Sequence, residues 1–138
     1  MNSNLPYRPN VCLFILNKNN EIFIGERLGA KGVWQLPQGG IEEDLDEKGN
    51  ALREAHEELG VDMDLLSIQK KLDSTYRYDF DVVPKYFEGK FKGQQQCFYV
   101  LKYTGTEGQI NLSRFEQEFS DWKWVSLEDF AILSLIHI

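Results

Sequence analysis

Glu54, Glu57 and Glu58 crowd into the stretch NALREAHEELG at residues 50–60. At spacings of i, i+3 and i+4, a helix carries all three carboxylates on one face. Like charges that close repel, so the arrangement costs stability unless something positive sits among them. Three oxygen donors with no His or Cys beside them are hard ligands, the set that Mg²⁺ or Mn²⁺ accepts. An isolated acidic cluster of this kind is otherwise a solvated helix face. Two neighbours shift the balance toward a site. Arg53 can lock the helix start or its loop through a carboxylate. The pair Gly39–Gly40 lies upstream, where backbone can approach a ligand closely.

A helix must present these glutamates, and the pattern supplies one from Glu47 to Leu59. Ala51, Leu52, Ala55 and Leu59 recur at helical spacing as its buried stripe. Asp44 or Asp46 is a candidate N-cap, and Gly60 suits a left-handed C-cap. Upstream, VCLFILN (11–17) reads as a buried strand, NKNN as a turn and EIFIGER as the returning strand of a hairpin. KGVWQLPQGG (31–40) is a strand or loop ending in the glycine pair. Downstream, LLSIQKKL, STYRYDFDVV, FKGQQQCFYVLKYTG and DWKWVSL read as strands. Ser126 can cap a final helix, with Glu128 and Asp129 in its first turn. Strands on both sides of one strong helix predict a mixed α/β or α+β sandwich.

The chain has 138 residues, enough for a single domain over 1–138, and 42 % of them are apolar. Its net charge of −7 excludes nucleic-acid binding through bulk charge, so a polyanion would need a metal or a few placed arginines. Cys12 and Cys97 lie in apolar runs and read as buried thiols rather than a disulfide or zinc site. The first ten residues lack the pattern of a signal peptide, and no apolar run approaches a membrane span. The expected address is the cytoplasm, with no membrane partner.

The segment GGIEEDLDEKGNALREAHEELGV (39–61) resembles the Nudix box. Gly39, Arg53, Glu54, Ala55, Glu57, Glu58, Gly60 and Val61 fall on its fixed spacing. One position departs: the first box glutamate would stand at 45, where this chain has Leu45. In the family that glutamate pairs with the box arginine, and Asp44, Asp46 or Glu47 are the nearby acids to replace it. PYRPNV (6–11), WQLPQGG (34–40), GQQQCFYVL (93–101) and EFSDWKWVS (118–126) are similar to the subgroup of bacterial RNA pyrophosphohydrolases and asymmetric dinucleoside polyphosphate hydrolases. That subgroup continues through a basic helical tail, whereas this chain ends at FAILSLIHI, and His137 there is given no functional role.

The resemblance implies an α+β fold, the α/β/α Nudix sandwich, with a mixed sheet between helices and a catalytic loop–helix–loop at about 39–61. It implies Mg²⁺ or Mn²⁺ held by Glu54, Glu57, Glu58 and the Gly39 carbonyl. Glu118, in the acid-rich loop FEQEFSD, matches a further ligand. Either it or a box glutamate would be the general base for attacking water. Arg8 and Arg27 match phosphate-contacting positions, and Arg's fork suits phosphate oxygens. Gln95 matches a substrate-side position. Tyr76 and Tyr78 share a strand face, where they can stack a base or simply pack. Trp34, Trp122 and Trp124 read as packing. Substrates would be 5′-triphosphorylated RNA ends or dinucleoside polyphosphates. A reading of another class is a degenerate domain that senses nucleotides without cleaving them; Leu45 favours it, and the intact REAHEELG opposes it.

Overall fold

The computed structural model describes residues 4–136, so His137 lies outside the described residues. Seven strands and two helices follow in the order β1 (Tyr7–Leu16), β2 (Ile22–Arg27), β3 (Trp34–Gln35), β4 (Gln38–Gly40), α1 (Glu47–Leu59), β5 (Leu66–Asp79), β6 (Gly93–Tyr103), β7 (Phe119–Val125) and α2 (Leu127–Ile136). They build one mixed sheet in the order β3–β2–β1–β6–β5, with β4 also on β1 and β7 on β2. β1 and β6 run parallel over ten paired residues, and the remaining pairs are antiparallel.

Strand alternation gives the sheet two apolar faces, and each has its helix. Val11, Leu13 and Ile15 of β1 join Tyr99, Leu101 and Tyr103 of β6 against Ala51, Ala55 and Leu59 of α1. Ile22, Ile24 and Val125 gather Phe14, Leu36 and Phe130 of α2 on a second core, where Phe14 and Phe130 meet edge to face at 5.7 Å. The result is the expected α/β/α sandwich. Trp122 and Trp124 pack on Phe23, and Trp34 lies under Lys123. Cys12 and Cys97 are buried and unbridged. Among the described residues no helix is long and apolar enough to cross a membrane.

Two features of this frame place the site. First, β1 changes partner along its length. Its end pairs with β2 at Leu16↔Ile22, whereas Asn10, Val11 and Cys12 pair with Gly40, Gly39 and Gln38 of β4. The changeover draws the glycine pair onto the sheet beside α1. Second, α1 is fixed at both ends. Asp46, not Asp44, caps it by accepting the Gly49 N–H at 2.6 Å. Gly60 closes it at φ 66°, where a side chain would be strained and would collide with the Asn111 carbonyl.

One strand differs from expectation. The runs at 65–72 and 74–83 are a single strand, β5, ending at Asp79. Register shifts against β6 between Ile68 and Lys70, and between Lys71 and Thr75, absorb the polar KKLDS stretch as bulges instead of a break.

Candidate active site

Helix α1 turns its glutamates toward β4 and the loop before β7. Glu58 is only 7 % exposed, and its Oε2 is buried with no hydrogen-bond partner. Burial pushes its pKa well above the carboxylate range; nearby Glu54 and Glu118 add to this, and a backbone bond from Gln38 partly opposes it. Glu54 is pushed up to about 7, chiefly by burial, against the pull of Arg53 and with Glu57, Glu118 and Glu42 adding repulsion. Glu118 reaches this cluster because its carbonyl accepts the Leu28 N–H at 2.9 Å, tying its loop to the end of β2. Glu54, Glu57, Glu58 and Glu118 then line one cavity of about 380 Å³ with Glu42 and Arg53.

Arg53 organises the approach to the glutamates. Its Nη1 pairs with Glu42 at 2.9 Å. Its Nη2 donates to the Asn50 side-chain oxygen at 2.8 Å, and at 3.3 Å to both the Gly40 carbonyl and Glu54. None of Asp44, Asp46 and Glu47 takes the place that Leu45 leaves. Asp46 caps the helix, and Glu47 is held by Lys71 and Tyr99, each at 2.5 Å. Glu42 is the acid that reaches Arg53, because fully buried Asn50 pins the loop. Asn50 accepts from Glu42 N–H and donates to the carbonyls of Glu42, Leu45 and Asp46 at 2.9–3.1 Å. Leu45 itself is 40 % exposed, and Arg53 Nε is left buried without a partner.

A larger cleft of about 540 Å³ opens from Glu54, Glu58 and Glu118. Arg8, Arg27, Gly39, Tyr78 and Gln94 line it, with an aromatic wall at Phe80, Tyr86 and Phe87. Arg8 is held by Gln94 Oε1 at 3.0 Å, lies 4.9 Å over the Phe87 ring and backs onto Gly40. Tyr78 accepts a bond from Gln94 at 2.5 Å and stacks with Tyr76 at 5.7 Å, but Tyr76 stands outside the cleft wall and is 57 % exposed. Gln95 requires a correction. Successive strand residues point to opposite faces, and Gln95 pairs with Pro9 and Arg77 on the far side of the sheet. The amide facing the cleft is Gln94, beside Arg8 and Tyr78. Cross-strand alternation carries that signal, but it is readable only once the register of β5 on β6 is known.

The arrangement fits a divalent cation without being closed around one. Among the described residues no three His, Cys, Asp or Glu side chains converge as a ready-made shell. Yet a buried carboxylate oxygen lacking any donor is costly unless something positive meets it, and Glu58 Oε2 is in that state. At Gly39 a Cβ would overlap the Glu54 carboxylate, so only glycine lets this backbone approach the glutamates. The donors are all oxygens, as Mg²⁺ and Mn²⁺ prefer.

Comparisons with known proteins agree with this geometry. The NUDIX domain model matches residues 6–137. An RNA pyrophosphohydrolase of Rickettsia conorii is 39 % identical over 133 residues, covering 96 % of this chain and 81 % of its own. A NUDIX hydrolase structure from Listeria monocytogenes superposes with a TM-score of 0.66 at 27 % identity, covering 93 % of this chain and 82 % of that one. The C. elegans Ap4A hydrolase shares the fold at a TM-score of 0.68 and 23 % identity, covering 92 % and 85 %. With the box helix, the glycine strand and the sandwich all in place, the chain belongs to the Nudix family of hydrolases.

Proposed function

We propose that this protein removes pyrophosphate from triphosphorylated RNA 5′ ends, using Mg²⁺ or Mn²⁺. The observation that carries the reading is the buried Glu58 carboxylate, whose Oε2 has no hydrogen-bond partner, beside Glu54 and Glu118 and opening into a cleft that holds Arg8 and Arg27. Its similarity over most of its length to a protein named RNA pyrophosphohydrolase supports the choice of substrate.

Glu54, Glu57, Glu58, Glu118 and the Gly39 carbonyl would hold the cation. Bound there, it would neutralise phosphate charge and lower the pKa of water. Arg8 and Arg27 grip phosphate oxygens, and Gln94 keeps the Arg8 fork in place. Tyr78, on the wall beside Arg8, offers a ring to the first base. Glu118, on a loop that meets the glutamate helix, takes the proton from water as its oxygen attacks phosphorus. The anhydride P–O bond breaks and pyrophosphate leaves. Arg53 has no contact with substrate in this scheme; it holds Glu54 and the Gly40 carbonyl in register.

The cleft chemistry also suits a dinucleoside tetraphosphate, and one assay separates the readings. Triphosphorylated RNA and diadenosine tetraphosphate are incubated with each metal, and the products resolved. Release of pyrophosphate with a higher kcat/KM on RNA supports the proposal. A preference for the dinucleotide reverses the choice of substrate. Nucleotide binding with no turnover on either metal would make the protein a sensor.

A further inference from the structure

β5 is the outer strand of the sheet, and from Gln69 to Asp79 only Leu72 and Tyr78 are even half-buried. An edge strand left open on both faces invites another chain unless something blunts it. Its alternation sends Tyr76 and Tyr78 to the cleft side and Thr75 and Arg77 to the other. On that other side, the Arg77 guanidinium lies 4.6 Å over the Tyr7 ring, and Lys92 Nζ lies 4.9 Å from the same ring. Arg77 donates to neutral Gln95 at 2.6 and 3.2 Å. Among the described residues no carboxylate comes within ion-pair distance of Arg77. A hollow of about 240 Å³ sits beside it, lined by Tyr7, Thr75, Gln95 and Lys71.

Two acids lie beside these cations. Asp79 accepts the Tyr7 hydroxyl at 2.5 Å, and Glu47 is held by Lys71 and Tyr99. The charge is also local. Residues 67–92 carry six bases and four acids, whereas the remainder carries nine bases and eighteen acids. A segment with more bases than acids, bearing aromatic rings, thus adjoins the cleft of an otherwise acidic protein. Neighbouring residues join the two sides: Arg8 lies in the cleft and Tyr7 outside it, as do Tyr78 and Arg77.

We propose that the exposed strand β5 is a track for single-stranded RNA, leading the chain beyond its first nucleotides from the Tyr78 side of the cleft across the edge onto Tyr7, Arg77 and Lys92. Alternating cations and aromatic rings suit such a strand: the cations meet phosphates and the rings meet bases, with no need for a particular sequence. This rests on the RNA reading above. A dinucleoside tetraphosphate has no chain to lay along the track.

The test uses the double variant Arg77→Gln, Lys92→Gln, whose positions lie outside the cleft. Binding of a fluorescent, unstructured 20-nucleotide RNA with a 5′-hydroxyl is followed by anisotropy with metal chelated, so that the track is read without the reaction. The variant should bind at least about threefold more weakly, and the slope of log affinity against log salt should fall by about one to two. Turnover should then show a higher KM for a triphosphorylated 20-mer and unchanged kinetics for a triphosphorylated dinucleotide. Equal binding by both proteins would overturn the track, as would equal losses on long and short RNA. So would a self-association through β5 that the variant abolishes. If wild type binds the 20-mer through these residues but cleaves no triphosphate end, the track stands and the proposed reaction fails.

Discussion

The two sides of α1 are built under opposite constraints. Toward the sheet, Ala51, Ala55 and Leu59 are fully buried among aliphatic and aromatic neighbours. Toward the cleft, the same helix buries a carboxylate oxygen of Glu58 and the Nε of Arg53 without partners, and it holds Glu54 at a pKa of about 7. One helix therefore combines a side that stabilises the fold with a side that destabilises it while its carboxylates lack a counter-charge. The core side makes the strain of the other tolerable.

The largest expected effect lies on the cleft side. Glu57→Gln should lower turnover of triphosphorylated RNA by at least about a hundredfold, because a carboxylate of the proposed cation site is lost. Its unfolding temperature should be unchanged or higher, since one repulsive charge is gone. Activity within a few-fold of wild type would remove Glu57 from the metal site.

On the core side the expectation inverts. Leu59→Ala should cost about 2–5 kcal/mol in denaturant unfolding, from lost burial and the cavity left behind. The folded fraction should keep its kcat. A large loss of kcat in fully folded protein would mean that the two sides are not separable.

Acidity sharpens the contrast further. The folded-state pKa of Glu54 lies above its ordinary value near 4.5, at about 7, and that of Glu58 is also raised. A group with a raised pKa contributes stability that is fully present below its unfolded value and is lost as pH rises through the folded one. Metal-free protein should therefore lose stability between about pH 4.5 and 7, on the order of 2–3 kcal/mol from Glu54. Glu58→Gln should flatten that decline. A stability that climbs steadily through this range would contradict the burial of these carboxylates.

Between the two sides lies Asn50, whose five hydrogen bonds join the loop to the helix and to Arg53. Asn50→Ala should cost about 2 kcal/mol by leaving buried backbone groups unpaired. It should also lower kcat more than it raises KM, by freeing Arg53. Intact kcat would show that Glu42 alone suffices to hold the arginine.

Much of α1 was legible because its signals are local. Spacing, the Asp46 cap and Gly60 all act within a turn or two of the residues they control. The α/β/α layering followed from the resemblance as well as from the order of strands. What could not be read depended on pairing between distant segments. Choosing Gln94 over Gln95 as the cleft amide requires the register of β5 on β6, where a shift of one residue exchanges faces. The bulges that join two expected strands into β5 leave no simple periodicity. By proximity in sequence, the partner of Arg53 would be Asp44, Asp46 or Glu47, the acids nearest position 45. The loop instead folds back on Asn50 and delivers Glu42, a choice made by backbone hydrogen bonds rather than by proximity in sequence.

The central claim is that the cleft side of α1 is a cation site whose strain the cation relieves. Titrating Mn²⁺ into the protein near pH 7.5 while following the unfolding temperature tests it most directly. The account predicts that metal-free Glu58→Gln melts above metal-free wild type. It also predicts that wild type rises with Mn²⁺ in a saturable manner while the variant barely responds. An unfolding temperature that Mn²⁺ leaves unmoved in wild type, or raises equally in both proteins, would contradict it.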